Sequence, residues 1–346
     1  SWYNESIWMS DYSQKWDVCM KRMAVLFVIL AVAVAAVILM LPRGREGSDP
    51  DAERPIILGF SQLGSESGWR IGNTRSVITA AQRAGVQLMF KNAEQKQENQ
   101  IDAIRSFIAY QVDVIAFAPI VEDGWDNVLR EAQDAGIPVI CSDRSVTLED
   151  DSLVTGFVGS DFYQEGVRAG EYLLRKMAGS TGPVRIAEIS GTIDSTPMRY
   201  RALGFRDTLK GDGRFQIVYS QSGDFLRSKG KEVMEDILGT AAPVDVLYSH
   251  NDSMTLGAIE AIENEGLAPG SDMIIISVDG EQGAIDLLKQ GKINCVVECT
   301  PMLGDMIMDL AKRLARGESI DRVTYSEETV FSDFDPDVLA IPPRWY

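Results

Sequence analysis

The chain has 346 residues, enough for two domains at the usual ~100–200 residues each. Its 51 acidic and 33 basic residues leave a formal net charge of −18, which repels phosphate backbones and argues against nucleic-acid binding. His250 is the only histidine, which argues against zinc sites built on imidazole.

The N-terminus carries the clearest non-globular segment. Ala24 to Leu41 is an uninterrupted apolar stretch of 18 residues, the length at which a membrane helix becomes the default. Lys21 and Arg22 precede it, as in the charged region of a signal sequence. It ends in Leu39-Met40-Leu41-Pro42-Arg43, with no small-x-small cleavage site just beyond and no following cysteine to take a lipid. An uncleaved transmembrane signal-anchor over 24–41 is therefore preferred to a cleaved signal. Residues 1–23 form an N-terminal tail and 42–54 a polar linker with Gly and Pro. Basic residues on both sides leave the orientation open.

From Pro55 onward, apolar runs alternate with helical stretches. Strands are expected at 56–61, 86–90, 113–118, 137–141, 154–159, 184–190, 215–220, 244–249, 273–278 and 293–299. Helices are expected at 69–84, 97–110, 124–135, 161–178, 197–210, 227–239, 252–265, 281–290 and 301–316. This β-α alternation argues for parallel sheets covered by helices on both faces. The strands are rich in Ile and Val rather than alternating, as burial of both faces requires. Gly85, Gly136, Gly266 and Gly291 each close a helical run in a position suited to the left-handed conformation. So many elements, with polar clusters before and after about residue 160, fit an α/β fold of two doubly wound domains with a cleft between them.

In such a fold, ligands bind outside the carboxyl ends of the strands. Three polar tripeptides stand there: Ser142-Asp143-Arg144, His250-Asn251-Asp252 and Val278-Asp279-Gly280. Asp143 and Arg144 together offer an acceptor and a rigid donor fork, which suits a diol; a surface ion pair or a helix cap is the plainer reading. Asn251 can both donate and accept, and is equally a helix N-cap, a duty Asp252 could share. Asp279 before Gly280 also reads as a turn residue. Trp69 and Arg70 follow the first strand in Gly64-Ser-Glu-Ser-Gly-Trp-Arg70; the tryptophan face suits the C–H bonds of a sugar ring, although a core tryptophan fits as well. Arg201 has Arg199 and Arg206 nearby, so spacing alone favours a solvated helix face at least equally. Glu298 lies in a run that should be buried, so a ligand or a nearby arginine must accompany it. The mix of Asp, Asn and Arg suits a neutral ligand rich in hydroxyls.

Other chemistries lack their motifs. There is no G-x-G-x-x-G fingerprint, no phosphate loop and no G-x-S-x-G elbow. No catalytic group, cofactor or metal is called for, and the chain does not read as an enzyme. Of the cysteines at 19, 141, 295 and 299, the last two would stand ~13 Å apart in one strand, too far for a disulfide, so they read as small buried hydrophobes.

Six longer segments carry a family likeness: G-F-S-Q-L-G-S-E-S-G-W-R at 59–70, Q-K-Q-E-N-Q-I at 95–101, S-D-R-S at 142–145, Q-S-G-D-F at 221–225, R-S-K-G-K-E-V-M-E at 227–235 and H-N-D-S-M at 250–254. Over roughly residues 55–330 the chain resembles the substrate-binding proteins of ABC sugar importers, of the ribose/galactose-binding type. The resemblance implies two Rossmann-like lobes, a type I periplasmic binding protein fold, with crossings near Ser160, Glu298 and Tyr325. The lobes would be 55–159 with 299–325 and 160–298 with 326–346. It implies that Trp69, Arg70, Asp143, Arg144, Arg201, Asn251, Asp279 and Glu298 line the ligand cleft. The expected ligand is a monosaccharide, galactofuranose or a related sugar. The expected partners are an ABC permease with its ATPase, outside the cytoplasm and tethered to the membrane by the N-terminal helix. A membrane-tethered sugar sensor signalling to a histidine kinase or chemoreceptor is the alternative.

Overall fold

Two six-stranded sheets organise the chain from Pro55 onward. The computed structural model describes residues 54–240 and 243–346. The apolar stretch 24–41, with its tail and the linker up to 53, lies outside the described residues. Among the described residues, no helix is long and apolar enough to cross a membrane.

The first sheet contains β1 (Ile57–Gln62), β2 (Gln87–Asn92), β3 (Val114–Phe117), β4 (Val139–Ser142), β5 (Gly156–Gly159) and β11 (Val323–Tyr325). Their order is β11-β5-β4-β3-β1-β2, and every pairing is parallel. The second sheet contains β6 (Val184–Ser190), β7 (Phe215–Ser222), β8 (Val246–Ser249), β9 (Ile274–Asp279), β10 (Cys295–Glu298) and β12 (Val330–Ser332). Its order is β12-β10-β9-β8-β6-β7, parallel except for the antiparallel edge pair β10 and β12. Parallel neighbours need crossovers, and helices supply them. These are α1 (Gly68–Ala84), α2 (Gln97–Ala109), α3 (Asp126–Asp134), α4 (Phe162–Lys176), α5 (Thr196–Leu209), α6 (Arg227–Gly239), α7 (Asp252–Asn264), α8 (Gln282–Lys289) and α9 (Gly304–Ala315).

Each sheet is buried on both faces. In the first, Phe107, Ile115, Phe117, Trp125 and Leu129 fill one face, and Leu58, Phe60, Val114, Ile140 and Ile307 the other. In the second, Ile189, Leu247, Ile262 and Ile275 lie on one side, and Ile186, Phe205, Tyr248 and Val278 on the other. This two-sided burial explains why the central strands are short apolar runs, as in Val114–Phe117 and Val246–Ser249. Gly85, Gly136, Gly266 and Gly291 all take positive φ, between 66° and 77°, as helix closure requires.

The two edge strands β11 and β12 were not expected from the sequence. Each has only three residues, and Val323 and Tyr325 are exposed, so neither produces an apolar run. They matter because the chain passes three times between the sheets: from β5 to α4, from β10 to α9, and from β11 to β12. Cys141, Cys295 and Cys299 are buried and unpaired.

Candidate functional site

The carboxyl ends of β4, β8 and β9 face the start of α1 across a cavity. It is lined by Glu66, Ser67, Trp69, Arg70, Asp143, Arg144, Pro197, Arg201, Phe225, Asn251, Asp279 and Cys299. It holds about 290 Å³ of atom-free space.

The half built on the first sheet is a charge network. Ser67 caps α1 by accepting from Arg70 N at 3.1 Å, which orients the next turn inward. Arg70 then donates to Glu66 Oε1 at 3.0 Å and to Asp143 Oδ2 at 2.6 Å. Burial opposes the Arg70 charge, but Asp143 and Glu66 outweigh it and hold the group above its ordinary range. Arg144 donates to Ile120 O at 3.1 Å and lies 3.9 Å from both Glu66 and Asp143. Burial, then Arg70, lowers Arg144 to about 10, which still leaves it charged near neutrality. Its Nε is buried with no hydrogen-bond partner.

Trp69 is buried at 4% exposure and packs with Phe162, Phe205 and Tyr248 of the second sheet's core. Its indole N–H donates to Cys299 O at 2.7 Å, and its backbone N–H to Glu281 Oε1 at 2.9 Å. The tryptophan thus joins both halves besides lining the cavity.

In the second half, Asn251 performs the capping role. Its Oδ1 accepts from Met254 N at 2.9 Å, and its Nδ2 donates to Phe225 O at 3.3 Å. Asp252 does not share the cap. Its Oδ2 accepts from Gly280 N at 2.7 Å and Glu281 N at 2.6 Å, fixing the turn that presents Asp279. Burial and Glu281 push Asp252 up to about 8. Arg201 is not on a solvated face. It is 3% exposed, donates to Glu165 Oε2 at 2.6 Å and to His250 O at 2.6 Å, and lies 3.7 Å from Asp279 Oδ1. Burial pushes Asp279 well above the usual carboxylate range, against the pull of Arg201.

Backbone strain gathers here. Asp143, Asp224, Phe225 and Asp279 take φ values of 65°, 54°, 61° and 123°. Such conformations cost of order 1–3 kcal/mol each and persist where the surroundings over-determine them.

Seven of the eight residues picked from the sequence line this cavity: Trp69, Arg70, Asp143, Arg144, Arg201, Asn251 and Asp279. The structure does not bring Glu298 to it. Arg344 donates to Glu298 Oε1, and Thr329 N donates to Oε2 at 3.0 Å. Its partner is thus the arginine, one of the two options its burial demanded. Glu66, Ser67, Pro197, Phe225 and Cys299 were not singled out. Glu66 stood four residues before Arg70, a spacing that pairs on a helix. Nothing local announces that Phe225 turns inward.

The two halves meet around the cavity in a closed arrangement. Glu122 N donates to Asp194 O at 3.1 Å, Ser145 N to Thr196 Oγ1 at 3.2 Å, and Arg199 Nη1 to Glu122 Oε2 at 2.8 Å.

Comparison with known proteins agrees with this geometry. The periplasmic binding protein domain family matches residues 58–319. The galactofuranose-binding protein YtfQ of Escherichia coli K12 is 40% identical over 281 residues, covering 80% of this chain and 88% of its own. A Mycobacterium smegmatis structure in complex with β-D-fucofuranose shares 46% identity at a TM-score of 0.80, covering 82% of this chain and 93% of that one. The periplasmic binding protein component of the arabinose ABC transporter from Shewanella sp. ANA-3, bound to α- and β-L-arabinofuranose, shares 42% identity at a TM-score of 0.78, with the same coverage. Two doubly wound sheets, a cavity at their strand ends and these matches together place the chain in the periplasmic binding protein family.

Proposed function

We propose that the chain captures one furanose-type monosaccharide between its lobes, 55–159 with 299–325 and 160–298 with 326–346, and delivers it to an ABC permease and its ATPase outside the cytoplasm. The observation that carries the sugar reading is the cavity's polar inventory. Three arginines, Arg70, Arg144 and Arg201, stand against three carboxylates, Glu66, Asp143 and Asp279. Such a mix of donors and acceptors suits a ligand rich in hydroxyls. The unpartnered Arg144 Nε needs an acceptor, and Asp143 and Asp279 can take donors. A sugar hydroxyl does both. Trp69 and Phe225 add apolar surface for the ring's C–H bonds.

Capture works by closure. A ligand touching both halves stabilises the closed arrangement by its differential affinity for it, the hinge motion of periplasmic binding proteins. No bond is made or broken, and the sugar is released unchanged. The furanose preference comes from the relatives bound to, or named for, such sugars. The apolar run at 24–41 is proposed as a membrane tether, on the strength of its length and missing cleavage site.

Calorimetry of the full chain with D-galactose, D-fucose, L-arabinose, D-ribose and D-fructose tests the reading. One sugar should bind per chain, with preference for those that populate furanose rings. Heat with an amino acid or peptide, and none with any sugar, would overturn it.

A further inference from the structure

The three passages between the sheets converge on one carboxylate. Glu328 Oε1 accepts from Ser160 Oγ on the first passage, from Thr300 N at 3.2 Å on the second, and from Ser326 Oγ at 3.0 Å on the third. The Glu328 side chain is only 2% exposed. From α4, Glu165 approaches the same point, fully buried. Its Oε2 holds Arg201, and its Oε1 has no hydrogen-bond partner. Ligand atoms of Glu165, Cys299 and Glu328 all lie within 4.8 Å of one another.

A metal ion is a poor candidate for this cluster. The Arg201 guanidinium already occupies Glu165 at 2.6 Å and would repel a cation. A proton meets the same need without that conflict. Two buried carboxylates this close cannot both ionise unless each has its own counter-charge. Glu165 has Arg201. Glu328 has only Arg168, 3.8 Å away and a third exposed. The remaining facing groups supply no counter-charge: Asp143 adds negative charge near Glu165, and burial keeps the Cys299 thiol and the Tyr248 hydroxyl protonated, so the thiol can offer Glu165 only a neutral hydrogen bond.

We propose that the neighbouring carboxyls Glu165 and Glu328 carry a single proton in the closed form, held on Glu328, that this leaves Glu165 as the carboxylate positioning Arg201 while Glu328 ties the three passages together, and that sugar capture therefore takes up a proton. The claim rests on the sugar-capture reading above. Glu328 is a positioning residue, acting through Glu165 and Arg201 rather than on the sugar.

The direction of the shifts agrees. Burial, then Glu165, pushes Glu328 up to about 8 from its ordinary 4.5, and burial raises Glu165 against the pull of Arg201. On this proposal, opening admits water to Glu328 and returns the acid toward its ordinary value. A group raised in the closed form favours closure fully below the ordinary carboxylate range. That advantage is lost as pH rises toward about 8, with a limiting slope of about tenfold in affinity per pH unit for one proton.

Two measurements on the full chain test this. The first is calorimetry with whichever sugar of the panel binds, near pH 7 (about neutral, between the two values) in buffers of different ionisation enthalpy. Wild type should take up part of one proton per sugar. Glu328→Gln, a neutral mimic of the protonated acid, should take up less and show a flatter affinity profile from about pH 5 to about pH 8. Sugar binding without proton uptake, or an unchanged profile in Glu328→Gln, overturns the proposal but leaves sugar capture intact. The second needs no sugar. Spin labels at the exposed positions Tyr110 and Val218, one on each sheet's lobe, report the distance between them in a Cys19→Ser background. Lowering the pH from about 8 to about 5 should increase the closed fraction in wild type and not in Glu328→Gln. A pH response that is absent in wild type, or the same in both, overturns the proposal even if no panel sugar binds.

Discussion

Arg70 and Asp143 form the tightest ion pair lining the cavity, with Nη2 and Oδ2 2.6 Å apart and side chains only 3% and 5% exposed. The pair joins the first turn of α1 to the residue after β4. It also sets the Asp143 carboxylate beside Arg144, 3.9 Å away. Removing Asp143 leaves Arg70 with Glu66 as its only carboxylate and takes away one of the two carboxylates beside Arg144; breaking a buried pair typically costs ~3–5 kcal/mol.

Asp143→Asn should therefore abolish strong sugar binding. Asparagine tolerates the positive φ of 65° at this position, so the change removes charge rather than backbone fit. A loss of at least about 100-fold in affinity, about 3 kcal/mol, is expected by calorimetry. Binding within about twofold of wild type would show that Asp143 serves only the turn.

Glu298→Gln should behave in the opposite way. Glu298 holds Arg344 and Thr329 away from the cavity. The change should lower thermal stability by roughly 1–2 kcal/mol and leave sugar affinity within about threefold. A large affinity loss at unchanged melting temperature would return Glu298 to the ligand.

Acid should unfold the second lobe through Glu188. Its carboxylate accepts from Arg206 at 2.9 and 2.5 Å, and stands 3.2 Å from His250 Nε2. Burial lowers the His250 pKa, so the ring is neutral near pH 7 and donates from Nε2. Burial works against the Glu188 charge, but the His250 bond and Arg206 outweigh it and hold the group down at about 2 from 4.5. A depressed acid stabilises the fold above its unfolded value, and that contribution is lost as pH falls through about 2. Glu188→Gln should thus be less stable near neutrality by up to about 3 kcal/mol, with the gap to wild type closing in acid. Denaturant melts at several pH values give the comparison. A gap independent of pH would mean that lost packing, not charge, is responsible.

Gly166→Ala should destabilise the protein and weaken binding together. A Cβ at Gly166 would meet Arg201 O at 2.2 Å, and one at Gly204 would meet Tyr163 O at 2.1 Å. The backbones of α4 and α5 touch there, which fixes Arg201 against Glu165. Overpacking of this kind costs ~1–3 kcal/mol and would displace the arginine. A lower melting temperature with unaltered affinity would show that Arg201 adjusts freely.

Much of this architecture was legible because both sheets are parallel. Buried parallel strands read as short apolar runs, and their carboxyl ends are where ligands gather, so Asp143, Asn251 and Asp279 stood out. Arg201 was different: helical spacing favoured a solvated face at least equally, and the family likeness alone raised it. Its burial depends on Glu165 and His250, neither of which is near it in sequence. Glu298 shows the same limit from the other side. Its requirement for a partner was readable, but the partner is Arg344, 46 residues away on a tail with no strong pattern. Nothing in the sequence singles out Glu328, which sits in a polar segment between two three-residue strands and is buried only because three passages meet there.

The bonds that close the cavity differ in kind from those that hold each half together. Glu122 to Arg199, Glu122 to Asp194 and Ser145 to Thr196 are polar contacts, and Arg199 is more than half exposed. Arg199 is open to water while Glu122 is buried, so such a bond is worth ~1 kcal/mol, the upper end for an exposed pair, whereas the glycine contacts within the second half cannot part without unfolding. Residence time is then adjustable separately from recognition. Trimming Arg199 would let an enclosed sugar escape up to about fivefold faster, by that same ~1 kcal/mol, while every group that reads the sugar stays in place.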